Sequence, residues 1–202
     1  MAKVKICGLT TEQDIQLVNQ YHPDYVGFVF AKSTRQVTPL LVKELMRKLC
    51  PSIHKVGVFV NEKAQTVNEI SKMCSLDIVQ LHGDETPHYQ ALIHTPTWKA
   101  IRIYNTESLK CCQEYKVEGI VLDTYSKNHY GGTGVAFDWC LAADMRCKSK
   151  IILAGGLNQE NVEKAIKTIT PYCVDVSSGV ETDGIKDEEK IKQFIQAVRT
   201  VG

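Results

Sequence analysis

Residues 150–181 read KIILAGGLNQENVEKAIKTITPYCVDVSSGVE. Lys150–Leu153 is a short run rich in β-branched residues, and a Gly-Gly pair ends it. Asn158 stands where a helix N-cap belongs, and Val162, Ala165, Ile166 and Ile169 follow at helical spacing. Cys173–Val176 is β-rich again and stops at Ser-Ser-Gly. This is a strand, a helix and a second strand. The helix carries the chain back along the sheet, so the two strands run parallel.

The unit recurs along the chain. Further strand runs are Val4–Ile6, Tyr25–Phe30, Lys55–Val60, Asp77–Leu81, Trp98–Ile103 and Gly119–Leu122. Several are almost continuously apolar, as strands covered on both faces must be. Thr10 with Gln13 three residues on reads as a capping box, followed by Ile15 and Val18. Thr38-Pro39 opens a second helix, lined by Leu41, Leu45 and Leu49, and Pro51 follows its end. Asp187 opens the last helix, with the stripe Ile191, Phe194, Ile195 and Val198. Segments 64–73, 87–93, 108–115 and 137–144 supply the remaining helix candidates. Eight strands alternating with eight helices predict a parallel sheet that closes into a (β/α)8 TIM barrel, a compact one at 202 residues. An open doubly wound sheet is the alternative. No linker or low-complexity stretch interrupts the chain, so residues 1–202 are expected to form one domain.

The composition fits an ordinary globular protein, with 44% hydrophobic and 23% charged residues. A net charge of +1 and the lack of a long basic run argue against nucleic acid as a partner. No apolar stretch approaches the ~20 residues that span a bilayer, and the N-terminus has no apolar signal core. The expectation is a cytoplasmic protein with no membrane partner. None of the eight cysteines forms a C-x-x-C pair, and none is joined by His at zinc spacing, so no metal site is expected. In a reducing compartment most of them serve as small apolar residues. Cys7 is the exception.

Barrels of this kind carry their chemistry in the loops after the strands. Those loops offer Cys7, Arg35, Asn61, His82, Tyr104, Asp123, Gly155-Gly156 and Ser177-Ser178-Gly179. If the barrel closes, these groups converge. The last two loops suit a phosphate, because exposed backbone N–H groups and helix N-termini favour a dianion. Asp123 ends the apolar run GIVLD, as a general acid or as a structural acceptor. In a partly apolar cavity a carboxyl can stay protonated and act as an acid. Cys7 is its counterpart as base, with the helix start near Thr10-Thr11 available to lower the thiol pKa. Arg35 is placed to pair bidentately with a carboxylate. A lone His such as His82 is more often structural than catalytic, and a substrate-lining role is the other reading. The glycine-rich run YSKNHYGGTGVAF, with Gly131, Gly132 and Gly134, is expected to act as a lid.

Taken in order, KICGLT near the start, QLHG at 80–83, LDT at 122–124, GGTG, FDW, AGGL at 154–157 and DVSSGVE at 175–181 resemble the phosphoribosylanthranilate isomerase family. The resemblance runs from residue 3 to the final helix. It implies an Amadori rearrangement in tryptophan biosynthesis, from N-(5-phosphoribosyl)anthranilate to 1-(2-carboxyphenylamino)-1-deoxyribulose 5-phosphate. It implies no cofactor and no metal, and a small phosphoribosyl substrate as partner. It gives Cys7 as general base, Asp123 as general acid and Arg35 as the residue handling the anthranilate. His82 and Asp175 fall at active-site positions. Gly155, Gly156, Ser177, Ser178 and Gly179 fall in the phosphate loops. The chain is expected to be a monomer or a homodimer.

Three other readings compete. The histidine-pathway isomerase, or a dual-specificity isomerase serving both pathways, performs the same rearrangement, but the histidine-pathway base is aspartate and that enzyme has two phosphate sites. A non-catalytic phosphosugar-binding barrel would keep the glycine loops and need neither Cys7 nor Asp123. A thiol redox protein is suggested by cysteine number alone, and no C-x-x-C supports it.

Overall fold

The computed structural model describes residues 1–124, 137–143, 145 and 147–201. The eight parallel strands are β1 (Lys3–Cys7), β2 (Tyr25–Val29), β3 (His54–Phe59), β4 (Ile78–Leu81), β5 (Thr97–Ile103), β6 (Gly119–Thr124), β7 (Lys150–Leu153) and β8 (Cys173–Val176). Each pairs with the next, and β8 pairs with β1, so the sheet is a closed barrel. The closing register sets Lys5 opposite Asp175 and Ile6 opposite Val176. The lid residues Gly131, Gly132 and Gly134 lie outside the described residues.

Side-chain alternation divides the barrel in two. Tyr25, Val56, Ile78, Trp98, Val121, Ile152 and Cys173 form an apolar cluster near the strand N-termini. A larger cluster, with Ile6, Phe28, Phe59, Leu81, Leu122, Val174 and Phe194, joins the outer face to the helices. The strands are therefore buried on both faces, which is why they read as apolar runs. Above the inner cluster, toward the strand C-termini, polar side chains take over.

The helices are α1 (Glu12–Tyr21), α2 (Pro39–Met46), α3 (Ala64–Met73), α4 (Pro87–Gln90), α5 (Val162–Ile169) and α6 (Glu188–Thr200). Two of the expected eight are instead 3₁₀ helices, Thr106–Glu114 and Trp139–Ala142. The first buries only Ser108 and Cys112, too little apolar surface to hold a regular α-helix on the barrel. The second buries Trp139 and Ala142, three residues apart, which suits three residues per turn.

The caps refine the sequence reading. The α1 capping box lies one residue beyond the Thr10/Gln13 pair expected: Thr11 Oγ1 accepts from Asp14 N–H, and Asp14 Oδ2 accepts from Thr10 and Thr11 N–H. A short carboxylate reaches back to both amides. Asn158 closes a turn rather than capping α5, its Oδ1 accepting from Glu160 and Asn161 N–H, and α5 starts at Val162. Thr38 and Asp187 cap α2 and α6 as expected. Among the described residues, no helix is long and apolar enough to cross a membrane.

Candidate active site

A cavity of ≈ 1000 Å³ opens at the C-terminal ends of the strands. Cys7 reaches it from β1, His82 from the end of β4, Asp123 from β6 and Asp175 from β8. Arg35 borders it from the loop after β2. Gly155, Gly156, Ser177, Ser178 and Gly179 border it from the last two loops. Two expected contributors stand elsewhere. Asn61 turns to the loop after β4, where its Oδ1 accepts from Asp84 N–H at 2.7 Å, and Tyr104 is 64% exposed.

The loop after β7 is braced by Asn161, whose Nδ2 donates to Gly156 O and whose Oδ1 accepts from Asn158 N–H. Gly155 and Gly156 both hold positive φ, 83° and 65°. Gly179 presses against the same loop. A Cβ there would lie 1.9 Å from the Leu157 carbonyl oxygen, so only glycine lets the two loops meet. Ser177 Oγ donates to Cys7 O at 3.0 Å and ties the final loop to β1.

On the opposite wall, His82 Nε2 lies 2.9 Å from Asp123 Oδ2, and His82 Nδ1 lies 2.8 Å from Gln80 Nε2. With the Gln80 amide donating to Nδ1, a neutral His82 carries its proton on Nε2 and donates it to Asp123. Asp123 is only 3% exposed.

Arg35 does fork onto a carboxylate, but one within the protein. Its Nε donates to Glu181 Oε1 at 2.8 Å and its Nη2 to Oε2 at 2.5 Å. Lys186 Nζ donates to the same Glu181 at 2.6 Å. Burial pushes the Glu181 carboxyl up, but Arg35 and Lys186 outweigh it and the net direction is down. Glu181 ends the run DVSSGVE, yet nothing local shows that an arginine 146 residues earlier needs it.

The surroundings of Cys7 also differ from the expectation. Helix α1 begins only at Glu12, and the nearby cation is Lys5, two residues back on the same face of β1. Burial pushes the Cys7 thiol up, Lys5 pulls it down, and the net direction is up rather than the lowering a helix N-terminus would give. Lys5 is fully buried and donates to Asp175 Oδ2 at 2.6 Å. Asp175 Oδ1 is buried without a partner among the described residues. A lysine inside the apolar run KVKIC was the available signal for this pair.

The family model for N-(5'phosphoribosyl)anthranilate (PRA) isomerase matches residues 4–197. The N-(5'-phosphoribosyl)anthranilate isomerase of Acetivibrio thermocellus is 52% identical over 210 residues, covering 98% of this chain and 96% of that one. The phosphoribosyl anthranilate isomerase of Thermotoga maritima superimposes with a TM-score of 0.91 at 36% identity, covering 99% of this chain and 100% of that one. A phosphoribosyl anthranilate isomerase in complex with reduced 1-(o-carboxyphenylamino)-1-deoxyribulose 5-phosphate superimposes with a TM-score of 0.86 at 35% identity, over 99% and 100% of the two chains.

Proposed function

The chain belongs to the phosphoribosylanthranilate isomerase family, and we propose that Cys7 and Asp123 divide the proton transfers of that reaction between them. The reaction is the isomerisation of N-(5'-phosphoribosyl)anthranilate in tryptophan biosynthesis. The observation that carries the proposal is the shared cavity: Cys7 enters from β1 and Asp123 from β6, with the glycine and serine loops beside them.

Asp123, as the carboxylic acid, gives its proton to the ribose ring oxygen. The C1′–O bond breaks, and the anthranilate nitrogen lone pair forms the C1′=N bond. The Asp123 carboxylate left behind accepts the His82 Nε2–H, which offsets its new charge. The iminium acidifies the C2′ hydrogen, and the Cys7 thiolate removes it. The C–H electrons become the C1′=C2′ bond, and the C=N electrons return to nitrogen. The enolamine becomes the ketone as the C2′ hydroxyl loses its proton and C1′ gains one. Acid and base each contribute typically ~10²–10⁴-fold.

The remaining residues hold the substrate. The backbone of the last two loops takes the phosphate, far from the reacting carbons, and fixes the sugar between acid and base. Arg35 keeps N–H donors beyond the two that Glu181 uses, for the anthranilate carboxylate. The free Oδ1 of Asp175 accepts from a sugar hydroxyl. A related isomerase bound to a reduced product analogue supports a ligand of this class.

The test is a steady-state assay with fresh phosphoribosylanthranilate, following loss of the anthranilate fluorescence. C7A and D123N each lose roughly 10²–10⁴-fold in kcat while circular dichroism and phosphate binding hold. Near-parental turnover in both variants defeats the proposal.

A further inference from the structure

We propose that Lys5 is a positioning residue for this reaction: its buried ammonium sits beside the Cys7 sulfur and favours its proton-accepting form against the effect of burial, and Asp175 holds the ammonium in place. The inference rests on Cys7 as the base and adds what makes a buried thiol able to serve.

Lys5 has no solvent exposure, which is rare for lysine unless it is paired. Asp175 is its register partner across the closing seam, and Nζ donates to Oδ2 at 2.6 Å. Lys5 and Cys7 are two residues apart on one strand, so both face the barrel interior. Gly27 of β2 shows how close they come. A Cβ there would lie 2.6 Å from Cys7 Sγ and 3.1 Å from Lys5 Cε, so both side chains fill the space that a side chain on β2 would take. An ammonium has three donors, and Asp175 uses one.

Among the described residues, the charges around the sulfur are few. Lys5 lies below Cys7 on β1, Asp175 faces it from β8, and Lys186 and Arg35 stand above. Asp123 and His82 face Asp175 from across the cavity, and the Cys173 thiol lies near Asp175 and Lys5. Burial pushes the Cys7 thiol up. Lys5 opposes this more strongly than any other group, and Asp175 adds to the upward push less than Lys5 subtracts. Burial also presses Lys5 to give up its proton, but Asp175 and Cys7 together outweigh it, and Lys5 stays charged through neutral pH. Without Lys5, burial would act on the sulfur almost unopposed.

The readout is the pH midpoint for alkylation of Cys7 by iodoacetamide, with Cys7 followed individually by peptide mass. This measures the sulfur directly and needs no turnover. In Lys5→Met the midpoint rises by at least about one unit, which is about tenfold slower alkylation near neutral pH. The acid limb of the kcat/KM profile moves with it. Lys5→Arg keeps the charge and recovers part of the shift. If Lys5→Met leaves Asp175 uncompensated and does not fold, the double variant Lys5→Met/Asp175→Leu is measured instead. Its midpoint still rises, because Lys5 acts on the sulfur more strongly than Asp175 does. A midpoint at or below the parental value in whichever variant folds overturns the inference. The base reading fails separately, if Cys7→Ala keeps its turnover.

Discussion

His82 Nε2 and Asp123 Oδ2 meet at 2.9 Å inside the barrel mouth, with both side chains nearly excluded from solvent. The His82 N–H is aimed at the oxygen of the carboxylate left after the acid has given up its proton. Replacing His82 by Asn is expected to lower kcat more than it changes KM. A hydrogen bond to a charged group is worth about 1.5–3 kcal/mol, so the loss is roughly 10- to 150-fold. Steady-state kinetics decide it, and an unchanged kcat would show that Asp123 works without its neighbour.

Glu181 joins Arg35 and Lys186, and its carboxyl titrates below the usual range. A carboxyl held low in the folded state adds stability above its unfolded pKa, and the gain disappears as acid protonates it. Glu181→Gln is therefore expected to cost about 1–3 kcal/mol at neutral pH. Denaturant titrations should find the gap between parent and variant narrowing below pH ~4. A gap that stayed constant down to pH ~3 would mean that the charge of Glu181 carries no stability.

Arg35→Lys tests the donors that the Glu181 fork leaves over for substrate. A lysine keeps the charge but cannot bind two oxygens in one plane. KM for phosphoribosylanthranilate should rise by roughly tenfold or more, as for the loss of one charge-assisted hydrogen bond, with kcat changed less. Equal falls in kcat and kcat/KM would place Arg35 in the chemical step instead.

Gly179→Ala forces a methyl group into the Leu157 carbonyl oxygen. The two loops must part, and the backbone cradle opens with them. Inorganic phosphate should then protect the variant against heat far less than it protects the parent, while far-ultraviolet circular dichroism stays the same. Undiminished phosphate protection would move the anion site elsewhere.

The barrel was legible because strands covered on both faces must be apolar throughout, and runs such as GIVL and KIIL stand out for that reason. The cavity was legible because polar residues at strand ends have one place to go once the sheet closes. Cys7, His82 and Asp123 were found this way, whereas Asp175 came only with the family resemblance. Partners were harder to see. Lys5 marks a charge in a short strand without naming its partner, and Glu181 ends a motif without naming its own, since each finds its counterpart well over a hundred residues away. Local spacing carries no trace of such pairs. The connections at Thr106–Glu114 and Trp139–Ala142 were misread because they bury too few side chains to show an α-helical stripe.

The seam between β1 and β8 joins residues 170 positions apart. During synthesis the first strand leaves the ribosome long before the last, and Lys5 has no counter-ion until β8 arrives. Its ammonium stays hydrated in the meantime, which discourages β1 from sealing prematurely against a wrong neighbour. A nascent chain without β8 thus has no ammonium fixed beside Cys7. The pairing of that sulfur with its cation is a certificate of completion, issued when the circle of strands shuts.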